Sequence, residues 1–85
     1  MRKQDLKKIV SAVRKNRWEN GFVEVMVDKD DNLINLTSRP TPCEIRYKNI
    51  PSGAVIIRLD AKEKFISHAE IEERVKWTRA AGYVH

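Results

Sequence analysis

Val23, Val25 and Val27 recur at every second residue, the spacing at which side chains of an extended chain return to the same face. This constrains the fold more than any other feature of the chain, because a strand with one apolar face needs a layer to cover it. The alternating run extends from Phe22 to Asp28. Asp28-Lys29-Asp30-Asp31-Asn32 then reads as a polar hairpin turn, and Leu33 to Thr37 as a second strand. Ser38-Arg39-Pro40-Thr41-Pro42 is excluded from a central strand, since proline has no ladder donor. Cys43 to Lys48 alternates again and is expected as a third strand, with Cys43, Ile45 and Tyr47 inward. Pro51-Ser52-Gly53 is a turn. Ala54 to Asp60 reads as a fourth strand, with Val55, Ile57 and Leu59 on its core face.

Helical periodicity brackets these runs. Leu6, Ile9, Val10 and Val13 form one apolar stripe over residues 2 to 16, and Asn20-Gly21 breaks the chain after it. At the other end, Ser67-His68-Ala69-Glu70 reads as a capping box, with Ile66 and Ile71 placed for a hydrophobic staple. Ile71, Val75 and Thr78 form the inward stripe of this helix, and Gly82 its left-handed stop. The expected architecture is α+β in the order α-β-β-β-β-α. It has a four-stranded, mainly antiparallel sheet with both helices on one face, as a single small domain over residues 1–85.

The totals set outer limits. A chain of 85 residues buries only about 60% of its unfolded surface. The longest apolar run, Ala54-Val55-Ile56-Ile57, is far short of the roughly 20 residues that span a bilayer. The charged N-terminus has no apolar signal segment. Cys43 is the one cysteine, so no internal disulfide forms, and a reducing, cytoplasmic setting is expected. The net charge of +5 is unevenly placed. Residues 1 to 17 hold seven cations against Asp5, a balance of +6, while the remaining 68 residues hold ten cations and eleven anions. One basic element on a near-neutral body points to a localised electrostatic surface.

Lys3, Lys7 and Arg14 line one flank of the first helix's stripe, with Lys8 and Lys15 on the other side. Trp18 extends the first flank if the helix runs one more turn. Cations beside an aromatic ring suit phosphate contact combined with base or sugar stacking; a solvated helix face and a core tryptophan are the plainer alternatives. Arg46, Lys48 and Arg58 cluster if the third and fourth strands pair. On the outward sheet face, Phe22, Met26, Leu33 and Ile56 suggest contact with a partner chain or a second copy, giving a homodimer, unless the termini cover it.

Catalytic chemistry is sparsely provided. Asp28, Asp30 and Asn32 imitate the start of a calcium loop. Leu33, however, stands where glycine is needed and Arg39 where a glutamate should close the site, so a turn explains them. His68 and His85 form no zinc set with Cys43. Cys43 reads as an inert inward thiol, and no glycine-rich phosphate loop is present. No metal or other cofactor is expected.

Arg39-Pro40-Thr41-Pro42-Cys43, the strand Val55 to Ala61, Ile66-Ser67 and Ala80-Ala81-Gly82-Tyr83 together resemble the VRR-Nuc branch of the PD-(D/E)xK nucleases, small phage-type domains, over roughly half the chain. In that alignment the family's aspartate falls on Cys43, its glutamate on Arg58 and its lysine on Asp60. The resemblance therefore implies a degenerate, catalytically dead copy, since an arginine at a ligand position repels Mg²⁺. The double-stranded-RNA-binding domain places lysines at the start of its last helix, where this chain has Glu70, Glu72 and Glu73. The reading is a non-enzymatic module that binds DNA or RNA through its basic first helix. The alternative is a protein-interaction module that meets an acidic protein surface, such as a phage-encoded inhibitor of a host nucleic-acid-binding protein.

Overall fold

The computed structural model describes residues 1–40 and 47–85. Helix α1 spans Lys3–Lys15, strand β1 Phe22–Val27, strand β2 Leu33–Arg39 and strand β3 Val55–Asp60. A short 3₁₀ turn, Ala61–Glu63, precedes helix α2, His68–Ala80. Among the described residues the sheet has three antiparallel strands in the order β2-β1-β3. The fold is thus α+β, α-β-β-β-α, rather than the four-stranded arrangement expected. Most of the expected third strand, residues 43–46, lies outside the described residues, as do the inward placements of Cys43 and Ile45. Tyr47 and Lys48 belong to no strand. Tyr47 also turns away from the helix side, because its hydroxyl donates to the Glu24 carboxylate on the opposite sheet face.

The alternation of β1 builds the main core. Val23, Val25 and Val27 join Val55, Ile57 and Leu59 of β3, Leu6, Ile9 and Val13 of α1, and Ile66, Ile71 and Val75 beside and along α2 in one buried cluster. The stripes of both helices therefore join one core, α1 lying against β1 and β2 and α2 against β3. One departure from strict alternation matters. Asn35 stands opposite Met26 and Leu33 opposite Val27, which leaves Ile34 as the extra residue of a bulge. A one-residue slip exchanges faces, so Leu33 packs against the helix-side core instead of facing outward.

Both helix ends of α2 follow local rules. Ser67 Oγ accepts the Glu70 amide at 3.1 Å. In place of the reciprocal backbone bond, the Ser67 hydroxyl donates to Glu70 Oε1 at 3.1 Å. Gly82 has φ +85°, and the amides of Gly82 and Tyr83 reach the carbonyls of Arg79 and Thr78 at 3.1 Å each. That is a Schellman stop. The β1–β2 turn closes in the same local manner. Asp28 Oδ1 accepts the amides of Asp30 and Asn32 at 2.9 Å, and Asp31 takes φ 61°. The backbone donor from Asn32 does most to hold the Asp28 carboxyl below the usual carboxylate range. The calcium-like acidic run is therefore a self-satisfied turn. Arg79 then ties α2 to the sheet end. Its guanidinium donates to the carbonyls of Gly53 (2.7 Å) and Asp28 and to Asp31 Oδ1 (3.1 Å).

Strand β1 is covered on the second sheet face as well. Phe22 and Met26 are buried, and between them Glu24 is only 3% exposed. Glu24 receives the Tyr47 hydroxyl on one oxygen and Arg58 Nε, at 3.2 Å, on the other. Of the apolar residues that suggested a dimer through this face, Phe22 and Met26 are buried and Ile56 is half-buried.

Two measurements test this arrangement. Replacing Ser67 with Ala should cost about 0.5–2 kcal/mol through loss of the cap, read as a lowered denaturant midpoint. Burial first, and the bond to Glu24 second, push the Tyr47 phenol above its ordinary value. The neutral phenol is therefore the stabilised form. Its contribution is fully present below about pH 10 and is lost as pH rises through the folded-state value. The thermal midpoint should fall more steeply above pH 10 in the wild type than in Tyr47→Phe.

Candidate nucleic-acid interface

The cations of α1 are distributed by the same periodicity that buries its stripe. Leu6, Ile9 and Val13 point into the core, so Lys3, Lys7, Lys8, Arg14 and Lys15 are all exposed. Asp5, the one anion among the first 17 residues, is 3% exposed. Its Oδ2 accepts the Leu33 amide at 3.3 Å and faces Arg2 Nε at 3.4 Å. Every exposed charged side chain of α1 is therefore a cation. Among the described residues, none of Lys3, Lys7, Lys8, Arg14, Lys15 or Arg17 forms an ion pair; those found engage Arg2, Arg58, Arg74, Arg79 and the N-terminal amine. Unpaired cations on one element can meet external anions without first giving up internal partners.

Trp18 lies on the side of this helix opposite to that expected. The helix stops at Lys15, because Asn16 leaves helical geometry (φ −66°, ψ 117°). The Asn16 side chain is buried, and its Oδ1 accepts the Trp18 amide at 3.1 Å. Gly21 permits this fold-back, since a Cβ there would lie 2.7 Å from Asn16 Oδ1 and 2.9 Å from the Arg39 carbonyl oxygen. The result is a groove of about 580 Å³ between the C-terminal half of α1 and strand β2. Ala12 and Leu36 give it apolar surface, Ser11 and Ser38 give it hydroxyls, and Lys8, Lys15, Arg17 and Trp18 complete its wall. Trp18 is 45% exposed. Trp18 is thus neither core nor a continuation of the Lys3–Lys7–Arg14 flank; it joins the flank of Lys8 and Lys15.

The other expected cluster does not assemble in the same way. Arg46 lies outside the described residues. Lys48 is exposed in the segment before β3. Arg58 stands opposite Glu24, is bonded to it, and lies 5.1 Å from the centroid of the Phe22 ring. Its charge is already committed to a buried carboxylate, a role the sequence reading missed because it depends on a cross-strand neighbour. Of the three positions that the nuclease resemblance assigns to active-site residues, Arg58 and Asp60 sit on β3, and Cys43 lies outside the described residues. No group of three or more potential metal ligands occurs among the described residues. No helix among them is long and apolar enough to cross a membrane. Comparisons with protein families, curated proteins and solved structures give no match.

Because Arg58 serves Glu24, Arg58→Gln should lower stability by about 1–3 kcal/mol, the cost of leaving a buried acceptor without its partner. Lys48→Gln should fall within about 0.5 kcal/mol, as exposed substitutions do. Equal effects in urea melts would contradict the assignment.

Proposed function

We propose that this protein is a non-enzymatic module that binds nucleic acid through the outer face of α1. The observation that carries the reading is the one-sided chemistry of that helix. Six cations on or just beyond it are unpaired among the described residues, and its only acid is turned inward to Leu33. Phosphate neutralisation by such a face releases counterions and so depends strongly on salt. With Cys43, Arg58 and Asp60 at the positions of the family's active-site residues, the nuclease resemblance adds no catalytic group to the proposal.

A protein partner is the second reading, and one feature favours it. Phe65 is 89% and Trp77 68% exposed, with Trp77 bordered by Glu70 and Glu73 on the outer side of α2. Large exposed aromatic side chains are frequent anchors of protein interfaces.

Salt titration of binding to polynucleotides separates the two. The wild type should bind at low salt with a steep linear dependence of log K on log salt. Lys3→Gln, Lys7→Gln and Arg14→Gln together, or Lys8→Gln with Lys15→Gln, should each make the slope shallower. The decrease should be about 0.7–0.9 for every phosphate that is no longer neutralised. The exposed pair Lys62→Gln and Lys76→Gln removes charge outside α1 and should change it little. The polynucleotide should be recovered uncut in the presence of Mg²⁺. Absence of binding at low salt would remove this reading in favour of the protein partner.

A further inference from the structure

We infer that the groove beside Trp18 receives an unpaired nucleobase, making the chain selective for single-stranded nucleic acid over duplex. This rests on the nucleic-acid reading above and deepens it. A helix face carrying only cations would treat a single strand and a duplex alike, apart from their charge density, because both present phosphates. The groove differs in kind. Its surface at Ala12, Leu36 and the half-exposed Trp18 is apolar, and its volume of about 580 Å³ lies within the range of roughly 300–1,000 Å³ of small-molecule sites, ample for one base. Bases in a duplex are stacked inside and expose only their edges in the grooves, whereas a single strand offers a free ring face to an aromatic side chain.

Charge complementarity surrounds the same apolar patch. Lys8 and Lys15 are two helical turns apart, about 10 Å along the axis, and both line the groove, followed by Arg17 and Trp18. A ring seated against Trp18 would have its flanking phosphates among these cations. Ser11 and Ser38 supply hydroxyls at the margin that can bond base edges or sugar without selecting one base. The backbone that carries the indole is fixed, since the Trp18 amide donates to Asn16 and the following turn closes from the Gly21 amide to the Trp18 carbonyl at 3.0 Å. The occupant is thus a base with its adjoining phosphates, read by ring face and charge rather than by sequence.

Indole fluorescence tests this in the full chain carrying Trp77→Phe, which leaves Trp18 as the only tryptophan. The probes are an oligothymidylate, an oligouridylate of the same length and a mixed-sequence duplex. Quenching of Trp18 by either single strand and not by the duplex is the expected result, and the stronger of the two identifies DNA or RNA as the preferred source. Trp18→Ala should weaken single-strand binding about 10-fold, equivalent to about 1.4 kcal/mol, and leave duplex binding unchanged. Trp18→Phe, which keeps a ring, should recover most of the loss. Equal affinity for all three probes with unchanged Trp18 emission would overturn the inference while leaving the cationic face intact as a polyanion site. Binding to none of them at low salt would overturn both. The quenching readout needs no substitution at Trp18, so instability of Trp18→Ala does not remove the test.

Discussion

Strand β1 is buried on both of its faces, and the rest of the molecule answers to that constraint. Its odd-numbered residues require a covering layer, which α1 and α2 supply with their apolar stripes. Its even-numbered residues require a second cover, and Glu24 makes that cover chemically specific. A buried carboxylate is tolerated only when its charge is paired and its lone pairs are occupied. Arg58 from the neighbouring strand and the Tyr47 hydroxyl satisfy it from two directions. The sheet thereby commits the Arg58 guanidinium to a buried carboxylate.

The two helices divide their roles. α2 is used to hold the fold at both ends, by its Ser67 cap, by the Arg74 pair with Glu63 and by Arg79 reaching two loops. α1 holds the fold with its stripe and with Asp5, and commits none of its outer cations to internal ion pairs among the described residues. Because Asp5 takes the Leu33 amide, the helix is tied to the edge strand β2 and its single negative charge is withdrawn from the solvent face. Fold-back of the chain at Asn16 then sets Trp18 beside Lys8 and Lys15. The proposed binding surface is thus a by-product of how α1 is anchored, with charge and an aromatic ring left where the packing has no use for them.

What was legible in the sequence is what short-range rules govern. The staple and cap around Ser67, the stop at Gly82, the turn at Asp28 and the stripes of both helices involve residues within a few positions of one another. Pairings such as Arg79 with Gly53, Arg58 with Glu24 and Asp5 with Leu33 join residues far apart in the chain, and no local pattern announces them. Leu33 departs from expectation for a related reason: strict alternation assigns it to the outer face, and a single extra residue at Ile34 reverses it. Trp18 had a readable clue. Asparagine side chains compete with helical backbone bonds, and an α1 that ends at Asn16 carries the ring off the Lys3–Lys7–Arg14 flank.

Amide chemical-shift mapping during titration with a short single-stranded oligonucleotide tests the central claim most directly, because it reports where the ligand sits regardless of affinity. The largest perturbations are expected along α1 and at Arg17, Trp18, Leu36 and Ser38, with α2 nearly silent. Perturbations centred on Phe65, Trp77 and the acidic start of α2, or spread evenly over the surface, would contradict binding at α1.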